Sequence, residues 1–463
     1  MKNAISFLCL FWLCVSGQVQ AQSFVHEPSS TYEWPTDEAV LQSLDKWRDQ
    51  KFGIILHWGL YSVPGIVESW QLTSEDWITP DPVRTYQQFK DWYWGLIDEF
   101  NPVQFDPDQW AQVAQEAGMR YMVFTTKHHD GFCLYDSRYT DFSVAHSAFA
   151  QNQKADVARY VFDAFRKRGM MIGCYFSKPD WHSEDYWWNA KATPNRLHNY
   201  SISQYPERWT RYKSFVYNQV DELMSRYGKM DILWLDGGWC TPPREDISLD
   251  SIVDNARRHQ PGLIVVDRAC AGKHENYQTP EQRIPDHQVT TPWESCLTMT
   301  YDWGWTDHPV YKSPAKIIAT LAEVVAKGGS LLLGVGPNPQ GIIEDGYVVR
   351  LREIGAWLKA NGKAIYGTKS TPVYTNEQRS IWFTADKDGS TIYGIVPPSE
   401  GDSAVARTVS WLGNQPLKGC RMRILSTGKP VKWKTDLNGL TVVQLPNDYK
   451  EDEGLVLEFK IKK

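Results

Sequence analysis

Apolar runs between residues 50 and 335 are short and unbroken, and they alternate with stretches of helical periodicity. The runs are FGIILHWG (52–59), YMVFTTKHHDGF (121–132), MMIGCYFS (170–177), DILWLDGG (231–238), LIVVDR (263–268) and SLLLGVGP (330–337). A strand that stays apolar at every position is buried on both faces, as in a parallel sheet covered by helices. Between the runs, Asp106–Gly118 has an acidic start, an early Pro and a terminal Gly, and Lys154–Gly169 ends in basic residues and Gly. Both follow the start and stop chemistry of helices. Tyr212–Tyr227 and Ser313–Gly328 read the same way, and Asp345–Asn361 reads as a closing helix. Serial strand-then-helix units predict an α/β fold, a (β/α)8-like (TIM-type) barrel rather than a doubly wound sheet. No GxGxxG follows the first run, which weakens a dinucleotide-binding alternative. Only six runs are distinct, so the barrel is expected to be irregular.

Beyond about residue 370 the texture changes to short alternating runs, among them RSIWFTAD, STIYGIVP, CRMRILST, LTVVQLP and GLVLEFKI. Turn residues separate them at near-regular spacing, which predicts a C-terminal antiparallel β-sandwich. The expected division is a barrel over 22–365 and a sandwich over 366–463. Packing against the barrel is the expected role of the sandwich, with glycan binding as the alternative. The first 21 residues stand apart. Lys2 precedes the apolar stretch Ile5–Val15, and Val19-Gln20-Ala21 offers a cleavage point before Gln22. This reads as a signal peptide, too short to span a bilayer, and predicts an exported protein, periplasmic or extracellular.

A chain of 463 residues accommodates a barrel and one appended domain. The formal net charge of −6 argues against a nucleic-acid partner. With 22 Trp and 23 Tyr, the chain has either a large aromatic core or surfaces suited to stacking on sugar rings. Outside the signal segment stand Cys133, Cys174, Cys240, Cys270, Cys296 and Cys420, with no CxxC spacing. Buried free thiols are the expectation, and no metal site or cofactor is.

In a barrel of this type the reactive groups stand at the C-terminal ends of strands. Those ends read His57-Trp58-Gly59, Lys127-His128-His129-Asp130, Tyr175-Phe176-Ser177, Trp234-Leu235-Asp236-Gly237-Gly238-Trp239 and Asp267-Arg268. His128 and His129 are adjacent on a strand end, where alternation sends neighbouring side chains in different directions. Such a pair is better placed to hydrogen-bond substrate hydroxyls than to share a metal ion, although a metal-dependent hydrolase remains an alternative. Asp236 follows a buried run, precedes two glycines and is flanked by Trp234 and Trp239. It is either a loop cap or a nucleophile or base among aromatic walls. Glycoside hydrolysis needs a second carboxylic acid, and Glu275, Glu281 and Glu294 are the candidates in 273–294.

These pieces together resemble glycoside hydrolase family 29, the α-L-fucosidases. The matching segments are KFGIILHWGLYSVP (51–64), ESW (68–70), TTKHHDGFCLYDS (125–137), DILWLDGGW (231–239), VDR (266–268), YQTPE (277–281), PWE (292–294) and WGW (303–305). The resemblance implies an exo-acting, retaining, two-step hydrolysis of terminal α-L-fucose, with a fucosylated oligosaccharide or glycoconjugate as substrate. It implies Asp236 as nucleophile and Glu281 as acid/base, with Glu294 as runner-up and support of the pocket from below as its other role. It further implies that His57, His128 and His129 hold the fucose hydroxyls. Tyr175, Trp234 and Arg268 would line the pocket, and Trp303 would meet the sugar's methyl group. Glu68 and Trp70 match an acidic–aromatic pair, here separated by Ser69. A non-catalytic sugar-binding protein on the same scaffold is the remaining alternative.

Overall fold

The computed structural model describes residues 29–399, 408–450 and 452–461; the expected signal segment lies outside them. Seven strands form one wholly parallel sheet: β1 (Phe52–Leu56), β2 (Tyr121–Lys127), β3 (Met171–Ser177), β4 (Ile232–Asp236), β5 (Ile264–Asp267), β6 (Glu294–Thr298) and β7 (Ser330–Val335). Their order is β5-β4-β3-β2-β1-β7-β6, so the sheet curls until β5 and β6 face each other across a seam. The segment 274–282 fills that seam. Asn276 N donates to Val265 O at 2.9 Å on one side, and Gln282 N donates to Cys296 O at 2.9 Å on the other. The result is a (β/α)8-like barrel with seven regular staves and one irregular one.

Helices α1 (Glu38–Arg48), α2 (Tyr86–Gly95), α3 (Pro107–Glu116), α4 (Val157–Lys167), α5 (Pro206–Arg226), α6 (Leu249–His259), α7 (Pro314–Ala326) and α8 (Asp345–Asn361) accompany the strands. Their starts follow local chemistry. The Asp106 side chain accepts from Asp108 N and Gln109 N ahead of Pro107, and the Ser313 side chain accepts from Lys316 N ahead of Pro314. The strands pack their outward faces on these helices. Their inward faces build a separate barrel core that includes Ile55, Tyr121, Val123, Met171, Trp234, Val266 and Leu332. Gly53 makes room inside it, because a Cβ there would stand 2.5 Å from the Tyr121 ring. Helix α1 plugs the lower end with Leu44 and Trp47, and Trp47 stacks on Tyr277 of the seam at 4.0 Å.

The remaining strands are β8 (Lys369–Thr375), β9 (Trp382–Ala385), β10 (Thr391–Val396), β11 (Thr408–Leu412), β12 (Arg423–Ile424), β13 (Lys432–Thr435), β14 (Leu440–Gln444) and β15 (Leu455–Lys460). They form two antiparallel sheets, β12-β15-β10-β9-β8 and β11-β14-β13. Alternation along β9 divides the labour. Phe383 and Ala385 enter the core between the sheets, while Trp382 packs into the core shared with the barrel helices. The Lys327 ammonium sits 5.6 Å above the Trp382 ring, and Lys363 pairs with Glu458 at 2.7 Å. Among the described residues no helix is long and apolar enough to cross a membrane.

Candidate active site

Asp236 is the last residue of β4, beside Ser177 of β3 in the parallel register. Burial of its carboxylate is matched by donors on three sides. Tyr175 Oη donates to Oδ2 at 2.7 Å, Arg268 Nη1 to Oδ1 at 3.0 Å, and Gly237 N to Oδ1 at 2.8 Å. Gly237 has φ +86°, and a Cβ there would collide with Pro179 Cδ, so the turn that presents this amide requires glycine. Arg268, just past β5, also donates through Nη2 to Glu281 Oε2. The other Glu281 oxygen accepts from Trp303 Nε1 at 3.1 Å. Glu281 lies on the irregular stave, where Cys296 N donates to Pro280 O at 3.3 Å and fixes its height against β6.

Glu294 lies lower. It opens β6 level with Ser330, the first residue of β7, and it is fully buried inside the barrel. Tyr121 Oη donates to its Oε2 at 2.7 Å and Trp234 Nε1 to its Oε1 at 3.2 Å. Burial lifts this carboxyl to about 7, against the hydrogen bonds from Tyr121 and Trp234 that favour its charged form. Trp234 in turn stacks on Tyr175 with ring centroids 5.3 Å apart and lies 4.9 Å from the Arg268 guanidinium. It is thus a floor beneath the pocket rather than a wall beside it.

The two adjacent histidines depart from the expectation that they point in different directions. Their rings are 4.3 Å apart and face the same pocket. Strand β2 ends at Lys127, so alternation no longer applies, and the chain turns at once, with Gly131 N donating to His128 O at 3.1 Å. Each ring has its own hydroxyl partner. Ser69 Oγ is 2.5 Å from His128 Nδ1, and Ser177 Oγ is 2.7 Å from His129 Nδ1. Ser177 donates its proton to Pro179 O at 2.5 Å, so His129 Nδ1 must carry the hydrogen of that pair. His129 Nε2 is then 3.7 Å from Asp236 Oδ2. Burial pulls His128 down to about 4 and His57 well below its ordinary range, so both imidazoles are neutral near pH 7.

Trp303 and His57 complete one wall, with ring centroids 5.0 Å apart. Trp303 leans over β7, where a Cβ on Gly334 would stand 2.8 Å from its ring. The ESW segment contributes all three of its side chains. Glu68 Oε1 accepts from Gly304 N at 2.6 Å, Ser69 holds His128, and Trp70 packs edge-on against His129 at 5.1 Å. Trp239 lies 5.1 Å from the same imidazole. Burial raises Glu68 to about 8, which leaves it a neutral acid with a proton to donate. The site residues that the family resemblance implies are in or directly beneath this pocket, whereas Glu275, the other candidate carboxylate, accepts from Ser29 Oγ and Ala269 N.

Several polar strand ends that looked like site chemistry serve each other instead. Lys127 pairs with Asp180 at 3.1 Å and Lys178 with Asp267 at 2.5 Å, all four buried under the rim. Ser69 and Gly334 were not visible as functional positions in the sequence. Ser69 alone had a signal, its place between Glu68 and Trp70. Cys133, Cys174, Cys240 and Cys296 are buried free thiols. Among the described residues no three His, Cys, Asp or Glu side chains gather as a ligand set for a metal ion.

A parallel barrel whose mouth holds two carboxylates over an aromatic floor suits glycoside hydrolysis, and its relatives make the protein a glycoside hydrolase. The family model described as Alpha-L-fucosidase matches residues 19–363. The chain belongs to that family, glycoside hydrolase family 29. It is 29% identical over 439 residues to the plasma alpha-L-fucosidase of Rattus norvegicus, spanning 89% of this chain and 90% of that one. Alpha-L-fucosidase isoenzyme 1 from Paenibacillus thiaminolyticus superposes with a TM-score of 0.75 at 29% identity, over 92% of this chain and 100% of that one. The Thermotoga maritima alpha-fucosidase in complex with fucose superposes with a TM-score of 0.72 at 26% identity, over 93% of this chain and 100% of that one.

Proposed function

We propose that the protein is an exo-acting, retaining hydrolase of terminal α-L-fucose on oligosaccharides or glycoconjugates. The observation that carries this reading is the placement of Asp236 and Glu281 on the two amino groups of Arg268 at the mouth of the barrel. In the first step an Asp236 oxygen attacks C1 of the sugar. The bond from C1 to the leaving oxygen breaks, and that oxygen takes a proton from the Glu281 carboxyl. In the second step Glu281, now a carboxylate, takes a proton from water as the water oxygen attacks C1, and Asp236 departs as a carboxylate. C1 is inverted twice, so the α configuration is retained.

Around C1, the neutral His57 and His128, with His129, supply donors and acceptors suited to the sugar hydroxyls. Trp303 supplies an apolar face for the methyl group, and Glu68 a proton donor. The fucose bound by the Thermotoga maritima relative supports this choice of sugar. Glu294 supports the floor, because both of its oxygens already accept from Tyr121 and Trp234. Cleavage of the first 21 residues and export complete the reading.

The experiment is release of free fucose from an aryl α-L-fucoside and from fucosylated oligosaccharides, with wild type, Asp236→Ala, Glu281→Ala and Glu294→Ala compared. Activity that disappears with Asp236→Ala, and azide rescue of Glu281→Ala, support the reading. An active Asp236→Ala protein overturns the mechanism, and rescue at position 294 moves the acid there. A wild type that frees no fucose from any of these substrates reopens the substrate.

A further inference from the structure

One guanidinium serves both carboxylates, and it is buried and held at both ends of its side chain. The Arg268 backbone N–H donates to Leu235 O of β4 at 3.2 Å, its side chain is buried, and its charged end lies over Trp234, which Glu294 pins from below. A fixed cation cannot follow either carboxylate, so its field stays in place while their charges change during the reaction. The two carboxylates depend on it unequally. Without Arg268, Asp236 would keep Tyr175 and the Gly237 amide as donors. Among the described residues Glu281 would keep Trp303. With both donors in place, each Glu281 oxygen accepts a hydrogen bond, an arrangement that serves the carboxylate formed once the proton has gone to the leaving group.

We propose that Arg268 is the positioning residue of the second step, holding Glu281 as the carboxylate that activates water against the fucosyl-enzyme. The inference rests on the two-step reading above. In the first step Asp236 becomes a neutral ester while Glu281 loses its proton to the leaving group. The positive charge that had faced the Asp236 carboxylate is left facing Glu281, at the moment when Glu281 is needed as a base. Arg268 therefore ties the conversion of acid to base to formation of the ester.

The test separates the two steps. An activated aryl α-L-fucoside leaves without a proton, so the first step with it does not need Glu281 as an acid. Stopped-flow release of the phenolate is followed for wild type, Arg268→Met, Arg268→Lys and Tyr175→Phe, with circular dichroism to confirm folding. For Arg268→Met the expected result is a burst near one phenolate per enzyme, then a steady state about a hundredfold below the wild-type rate. The covalent adduct should accumulate in the intact mass. Azide, an anion that needs no base, should restore turnover as fucosyl azide. Arg268→Lys, which keeps the charge, should recover part of the steady-state rate, and Tyr175→Phe should slow the burst itself.

Arg268→Met with no burst, no adduct and no response to azide would overturn the proposal and assign Arg268 to Asp236 alone. If Arg268→Met does not fold, the same comparison is made with Arg268→Lys, where a slowed burst and an unchanged second step would overturn the proposal in the same way. Failure of the underlying reading looks different. Wild type would then release β-fucose first and form no adduct with a slow 2-fluoro-fucosyl substrate.

Discussion

Glu294 Oε1 accepts from Trp234 Nε1 at 3.2 Å, one layer beneath Asp236 on the same strand face. The carboxyl at the foot of β6 thereby sets the height of the aromatic floor on β4. Glu294→Gln keeps an acceptor oxygen for Trp234, while Tyr121 Oη can accept from the amide NH2 and turn its proton to Leu331 O, 3.4 Å away, so activity should fall less than about tenfold. Glu294→Ala strands both donors in the barrel interior. It should lose about 2–5 kcal/mol of stability, read by denaturant unfolding, and most of its activity. An Ala variant as stable as the Gln variant would count against the floor role.

The pocket wall depends on a residue with no side chain. A methyl group on Gly334 would stand 2.8 Å from the Trp303 ring, which must then shift and carry its hydrogen bond to Glu281 with it. Gly334→Ala should lower kcat/KM about tenfold, because small displacements of positioned groups are costly. The thermal midpoint should move little. Unchanged kinetics would show that the wall adapts.

His129 depends on Ser177 for its tautomer. Removing that hydroxyl leaves a buried Nδ1–H without its 2.7 Å acceptor. Ser177→Ala should raise KM for an aryl fucoside about tenfold, the equivalent of one lost buried hydrogen bond. Ser177→Thr keeps the hydroxyl and should stay near wild type. Equal effects of the two variants would point to packing instead.

Stability should depend on pH from both directions. Burial raises Glu68 to about 8 and Asp130, Glu275 and Glu294 to about 7. The folded state binds these protons more tightly than the unfolded chain does. The stability so gained is complete below about pH 4 and is lost as pH rises through 7 to 8. His57 and His128 act in the other sense. Burial lowers them, so their contribution is present above about pH 6.5 and is lost as pH falls towards 4. Thermal midpoints should therefore decline from about pH 6 to about pH 8, and Glu294→Gln should flatten that decline. A wild-type midpoint constant over this range would contradict the assignment of neutral buried carboxyls.

The barrel was legible because six of its staves are apolar on both faces, and the helix caps at Asp106 and Ser313 carry their own chemistry. Strand β6 was not. Its inward positions are Glu294, Cys296 and Thr298, so a stave that faces the site does not read as a stave. Helix α1 also escaped notice, since nothing local distinguishes a helix that plugs a barrel from one that lies beside it. At the site, residue types were readable and directions were not. The histidine pair converges because the strand ends before it, and the Lys127–Asp180 and Lys178–Asp267 pairs join loops whose proximity only the closed barrel creates.

The seam between β5 and β6 gives the enzyme an adjustable joint. Glu281 takes its height from backbone contacts with Cys296, at the far edge of a segment whose near edge is tied to β5. With both edges pinned, the turn 269–273 is where a change of length should disturb the carboxyl least. It is the natural place to graft a new contact for the departing half of a glycan while leaving the bond-breaking geometry as it is.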